Sequence, residues 1–136
     1  MNRSEYRVIY GDTDQMGVVY YANYLVFFER GRCEFMRERS FEYGTLEREG
    51  FLLPVVDASC RYRAPARFDD LLVIETAITG ASRITVSFTY RILRQDEVLA
   101  EGSTTHACLS REGRPTRLPP SVRALIPDVF SQSAPA

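Results

Sequence analysis

The chain has 136 residues, 45% hydrophobic and 26% charged, which suits one soluble globular domain better than two. Its formal net charge is -1, so no overall basic field exists to hold nucleic acid. No run approaches the ~18 apolar residues of a membrane span, and an integral membrane segment is not expected.

The opening stretch, Met1 to Glu5, is polar and lacks the apolar core of a signal peptide. Tyr6 to Tyr10 is rich in strand formers. A polar loop follows from Gly11 to Gly17, and then a helix of about five turns from around Tyr20 to Arg39. On that helix Tyr21, Tyr24, Leu25, Phe28, Phe35 and Met36 form an apolar stripe, with Gly31 on the same side. A shorter helix around Tyr43 to Arg48 ends at Gly50, placed as a C′ glycine.

The remainder reads mostly as strand. Leu53 to Tyr62 is one candidate, and Asp69-Asp70 turns the chain into Leu71 to Ile78. Gly80-Ala81-Ser82 marks the next turn. Ile84, Val86, Phe88, Tyr90 and Ile92 then alternate with polar residues, the pattern of a half-buried strand. Gln95 to Glu97 reads as a hairpin tip, Val98 to Leu109 as its return and Glu112-Gly113 as a further turn. Pro119-Pro120 opens a short helix through Val129. The expected domain spans residues 1–130, and 131–136 read as a disordered tail.

The fold class is therefore α+β. An antiparallel sheet of about five strands buries its apolar face by curling around one long helix. Open edge strands would be satisfied by a second copy, which predicts a homodimer or a homotetramer. Cys33, Cys60 and Cys108 are odd in number and widely spaced, so free buried thiols and a reducing cytoplasm are expected.

Asp12 and Asp14 lie in the glycine-bounded loop just before the long helix. A helix start carries unpaired N–H groups and a positive dipole end. A carboxylate beside such donors suits thioester hydrolysis: one part attacks the carbonyl or activates water, the other holds the oxyanion. Asp at a helix start is also a common cap. The spacing Asp-x-Asp-x-x-Gly opens like a calcium loop too, but Met16 and Asn23 then fall where oxygen ligands are needed, so no metal is expected.

Tyr10-x-Asp12-x-Asp14-x-x-Gly17-Val18-Val19-Tyr20-x-x-Asn23-Tyr24 resembles the signature of the 4-hydroxybenzoyl-CoA thioesterase family. Within it the likeness is to the YbgC-like acyl-CoA thioesterases. A second run, Tyr62-Arg63-Ala64-Pro65-Ala66-Arg67-Phe68-Asp69-Asp70, resembles a segment of the same branch, and the likeness covers roughly residues 5 to 127. The resemblance implies a hot-dog fold, an acyl-CoA substrate, an active site at a dimer interface and no cofactor beyond the CoA of the substrate. It implies Asp14 as the catalytic carboxylate and the backbone N–H of Tyr21 as the oxyanion donor. Gly17 and Val18 would shape the approach, while Tyr20 and Asn23 would line the acyl pocket or orient water. Phe27, Phe28, Leu52 and Val55 are further pocket candidates.

The resemblance also implies that basic residues at strand ends grip CoA, and it favours Arg83, at such a strand start, among Arg61, Arg63, Arg67, Arg83, Arg111, Arg114 and Arg117, any of which could fork onto its phosphates. Arg67 could instead pair with Asp69 or Asp70. The chain departs from the branch at Tyr21, where YbgC-like members often carry His, so no role for an imidazole there is carried over. His106, the sole histidine, reads as structural. Two other functions fit less of this pattern. One is a non-catalytic acyl-CoA or acyl-carrier binding protein. The other is a hot-dog enoyl-thioester hydratase, whose usual Asp–His pairing is missing from the loop.

Overall fold

In the computed structural model, residues 1–39, 41 and 43–126 are described. The expected 131–136 tail and the end of the terminal helix lie outside them. The elements run β1 (Asn2–Arg7), α1 (Asn23–Glu38), α2 (Tyr43–Arg48), β2 (Phe51–Leu52), β3 (Val55–Tyr62), β4 (Leu71–Ala81), β5 (Thr85–Arg94), β6 (Glu97–Ala107), β7 (Leu109–Ser110) and α3 (Pro120–Arg123). Five strands form one antiparallel sheet in the order β1-β4-β5-β6-β3, and β2 pairs with β7. Helix α1 packs across the sheet against β1, β4, β5 and β3. Among the described residues, no helix is long and apolar enough to cross a membrane.

Several boundaries moved for local reasons. Strand β1 begins at Asn2 and stops at Arg7 rather than reaching Tyr10. There the Asp12 carboxylate takes the Ile9 N–H at 3.0 Å and pulls Tyr10–Asp12 into a 3₁₀ turn. Strand β4 runs through the expected turn at Gly80 to Ala81, with its register shifting between Ile78 and Gly80. Gly80 thus sits at a bulge. The turn falls at Ser82, whose hydroxyl accepts the Thr85 N–H at 3.0 Å.

Helix α1 starts at Asn23, so Tyr21 lies in its entry turn. The buried face is Tyr24, Phe27, Phe28, Gly31, Arg32, Phe35 and Met36, which follows the 3.6-residue period from Tyr24. Tyr21 (61% exposed) and Leu25 (42% exposed) leave the expected stripe.

The centre of the layer is tightly filled. Phe28 stacks on Tyr90 with ring centroids 4.4 Å apart and planes within 5°. Beneath them Gly102 leaves no room for a side chain: a Cβ would stand 2.3 Å from the Ser59 carbonyl oxygen and 2.4 Å from the Phe28 ring. Gly31 serves the helix in the same way, against Ile74 and Thr76.

A buried polar chain crosses this core. Arg32 Nη1 is 3.1 Å from the Tyr90 hydroxyl, Tyr90 is 2.6 Å from Thr104, and Thr104 is 2.9 Å from His106 Nε2. His106 Nδ1 is 3.0 Å from the Leu53 carbonyl. Burial pushes the His106 pKa down to about 4, so the ring is neutral at neutral pH. With the Leu53 carbonyl only able to accept, Nδ1 carries the proton and Nε2 accepts from Thr104. Thr104 then accepts from Tyr90, and Tyr90 from Arg32. His106 is a core residue with both nitrogens engaged, as expected; burial of Arg32 was not legible from its charge.

Candidate active site

The loop from Asp12 to Asn23 is folded by its own hydrogen bonds. Asp12 Oδ2 accepts from the Tyr6 hydroxyl at 2.7 Å as well as from Ile9 N–H. Its carbonyl accepts from Tyr20 N–H at 2.8 Å and from the Asn23 side-chain amide at 2.9 Å. Asp12 therefore ties β1, the loop and the helix start together. Asn23 uses its amide for this frame.

Asp14 is held differently. Its N–H donates to the Val18 carbonyl at 2.9 Å, and its carbonyl accepts from Gly17 N–H at 3.0 Å. Gly17 adopts φ +80, the left-handed conformation that closes this tight turn. Asp14 Oδ1 accepts the Met16 N–H at 2.9 Å. Among the described residues, no hydrogen bond reaches Asp14 Oδ2. The second carboxylate oxygen is thus available beside the helix entrance.

At that entrance, Tyr20 O accepts from Asn23 N–H at 2.9 Å and Tyr21 O accepts from Tyr24 N–H at 3.3 Å. Among the described residues, the N–H groups of Tyr21 and Ala22 donate to no acceptor. These are the open donors a helix start leaves. The Tyr20 ring contacts the Tyr21 ring at 4.8 Å between centroids. The Tyr20 phenol is held above its usual pKa by Tyr21 first, with burial and the Asp14 charge adding to the effect. Asp14, Tyr20 and Tyr21 are thus brought together, with Val18 fixed through its bond to Asp14.

The Tyr62–Asp70 run packs directly on this loop. Val19 N–H donates to the Ala66 carbonyl at 2.8 Å, and Ala66 N–H donates to the Tyr24 hydroxyl at 3.2 Å. The Tyr62 hydroxyl donates to the Tyr21 carbonyl at 2.9 Å. Tyr10 stacks on Phe68 at 3.9 Å. Asp69 takes a positive φ of 70 while its N–H bonds the Val8 carbonyl at 3.0 Å.

Arg94 is the ion partner of Asp70, at 2.8 Å; Arg67, one of whose open readings was a pairing with Asp69 or Asp70, contributes its backbone N–H to Asp70, also at 2.8 Å. Burial acts to raise the Asp70 pKa, but Arg67 N–H and the Arg94 guanidinium outweigh it and hold the carboxyl below its usual range. Asp69 lies 3.9 Å from Arg7. Arg94 reaches across from the hairpin tip, a partner that no local spacing reveals.

Arg83 does not approach this loop within the chain. It sits in the turn before β5, whereas the loop lies at the other end of that strand, near Arg94. Ten strand residues separate the ends by ~30 Å. Phe27 and Phe28 are buried in the core, whereas Leu52 and Val55 are 40% and 47% exposed. Two hollows, of about 500 and 380 Å³, lie on the outer face of the sheet and between α1 and β1. Asp14 borders neither of them.

The two edges of the sheet differ. Strand β1 presents Arg3, Glu5 and Arg7 on its exposed positions. In β3 every residue except Cys60 is exposed, and Val55 and Val56 are 47% and 59% exposed. A charged edge discourages strand addition, while an apolar open edge invites it.

A five-stranded antiparallel sheet curled on one long helix, with an acidic loop at the helix entrance, is the hot-dog fold of thioesterases. The model of the thioesterase-like superfamily matches residues 8–126, and the chain belongs to that family. It is 38% identical to the acyl-CoA thioesterase YbgC of Haemophilus influenzae over 120 residues, 87% of this chain and 88% of the relative. Among solved structures it resembles 1,4-dihydroxy-2-naphthoyl-CoA thioesterase from Synechocystis, with a TM-score of 0.87 and 28% identity, covering 94% of this chain and 96% of the other. It also resembles the DHNA-CoA thioesterase of Staphylococcus aureus, with a TM-score of 0.89 and 26% identity, covering 98% and 93%.

Proposed function

We propose that this chain is an acyl-CoA thioesterase that cleaves the thioester to a carboxylic acid and CoA, with Asp14 as the acting carboxylate. The observation that carries the reading is one juxtaposition. Among the described residues, an Asp14 oxygen that accepts no hydrogen bond stands in the loop leading to a Tyr21 N–H that donates none, at the head of a 16-residue helix. The Tyr21 N–H would receive the developing oxyanion, strengthened by the helix dipole. Asp14 would attack the carbonyl carbon and expel the CoA thiolate, leaving a mixed anhydride that water hydrolyses. Alternatively it takes a proton from the water that attacks. The acyl-CoA thioesterase relatives support this choice of substrate. The proposed chemistry uses water and needs no metal or redox cofactor.

A homodimer paired through β3 completes this reading. Antiparallel pairing of two β3 strands would set the helix entrance of one subunit at the same end of the joined sheet as the partner subunit's Arg83. Three strand spacings, ~14 Å, would separate β3 from the partner's β5. That lies within reach of an extended CoA, so Arg83 would act in trans on its phosphates. Gly17, Val18, Tyr20 and Asn23 would shape the approach. Three free cysteines suit the reducing cytoplasm as its location.

The test is a thiol-release assay over short, long, branched and aromatic acyl-CoAs with wild type and Asp14→Asn. The variant is expected to lose at least ~100-fold in kcat while melting like wild type. Equal rates would remove Asp14 from the mechanism. Tight acyl-CoA binding by wild type without any thiol release would instead favour the binding-protein reading.

A further inference from the structure

We propose that Tyr62 is a positioning residue, whose hydroxyl aims the helix entrance through its hydrogen bond to the Tyr21 carbonyl. This rests on the reading of the Tyr21 N–H as oxyanion donor. Among the described residues the carbonyl accepts two bonds: 3.3 Å from Tyr24 N–H within the first helical turn, and 2.9 Å from the Tyr62 hydroxyl. The tighter hold comes from the end of β3, outside the helix. It fixes the peptide plane between Tyr21 and Ala22, which bears the Ala22 N–H, while the adjoining plane that bears the Tyr21 N–H is held through its Tyr20 carbonyl by Asn23 N–H at 2.9 Å.

The opposite side is held by Asp12, whose carbonyl takes Tyr20 N–H and the Asn23 amide. Tyr62 therefore supplies the second side of a clamp on the two open N–H groups. Preorganised donors of this kind lose much of their value when they must reorient during reaction.

The ring of Tyr62 has a separate job. It meets Tyr24 edge-on at 5.0 Å and 88°, and Tyr21 at 6.4 Å and 87°. Tyr62→Phe keeps these contacts and deletes only the hydroxyl. Burial, followed by the neighbouring Cys60, pushes the Tyr62 pKa up to about 12, so the hydroxyl remains a donor at any ordinary assay pH.

The experiment is steady-state kinetics of Tyr62→Phe beside wild type and Asp14→Asn, with melting curves and amide ¹H–¹⁵N spectra of each. Tyr62→Phe is expected to lower kcat roughly 10-fold, a fraction of what deleting an oxyanion donor costs. KM should stay within about 2-fold, and amide shifts should concentrate at residues 20–24. A drop expressed in KM alone would make Tyr62 a substrate contact and overturn the proposal. Wild-type kcat in Tyr62→Phe while Asp14→Asn is inactive would also overturn it, yet leave the site reading standing. Full activity in Asp14→Asn would remove the site reading itself. If Tyr62→Phe melts far below wild type, kcat is read at a temperature where its amide spectrum is that of the folded protein: a roughly 10-fold drop there supports positioning, and wild-type kcat there overturns it.

Discussion

The Val19 N–H donates to the Ala66 carbonyl at 2.8 Å. This bond spans 47 positions of sequence and joins the aspartate loop to the Tyr62–Asp70 crossover between β3 and β4. The crossover thereby becomes the support on which the loop and the start of α1 rest. Tyr62, Ala66, Phe68 and Asp69 each add a contact to that support.

Asp12 and Asp14 should separate by phenotype. Asp12→Ala removes the acceptor of the Tyr6 hydroxyl and of Ile9 N–H, so urea denaturation should show a loss of about 1–3 kcal/mol. Asp14→Asn should leave the urea midpoint near wild type while the catalytic rate collapses. An Asp12→Ala protein as stable as wild type would contradict the frame described for the loop.

Gly102→Ala should be among the most disruptive single-methyl changes in the chain. The new Cβ meets a backbone oxygen, Ser59 O, at 2.3 Å, and that strand cannot retreat without breaking the Cys60–Gly102 pairing. A cost of about 2–3 kcal/mol is expected, read as a Tm lower by roughly 10 °C. A melting temperature within a degree of wild type would show that β3 yields easily.

His106 makes stability fall on the acid side. Its folded pKa, about 4, lies below the ordinary 6.5 because the buried ring resists charge. Between these values the unfolded chain binds the extra proton, so stability declines as pH drops from about 6.5 towards 4. Above that window the effect vanishes. The full effect is at most about 3 kcal/mol. Urea midpoints should decline less over this window in His106→Gln than in wild type, whatever its stability at pH 7. Identical slopes in the two proteins would assign the acid sensitivity to other groups.

Val56→Glu tests the open edge. Val56 is 59% exposed in the single chain, so the substitution costs little there. In a β3-paired dimer it would bury one carboxylate per subunit in the seam, a desolvation cost the single chain does not bear. Light scattering should move from twice the chain mass to one chain mass, with activity lost in parallel. A wild type already monomeric at micromolar concentration would contradict the β3 pairing, and with it the trans role of Arg83.

The local grammar was readable directly. The alternation through Val86, Phe88, Tyr90 and Ile92 survives as the buried face of β5, because a strand's period of two is a property of its own backbone. The short helix ahead of Gly50 and the turn at Gly113 sit where glycine tolerates a positive φ, 94° and 84°. The glycine-bounded loop before a long helix was equally visible, since turn formers and helical periodicity act over a few residues. The same reach misled where a partner lay far off in sequence. Asp70 takes Arg94, 24 positions further along the chain, as its ion partner, although Arg67 is only three residues away.

The sequence by itself determined the element types, the acidic loop and the family likeness of its two motif segments. Only the tertiary structure decided that Asp12 ties the loop's frame together, that Arg94 serves Asp70, and that Arg83 stands a full strand away from the loop. It also revealed the bare β3 edge and the buried Arg32–His106 chain. Periodicity specifies which side chains share a face. It carries no information on which strands become neighbours, and hydrogen bonds between distant residues depend on that choice.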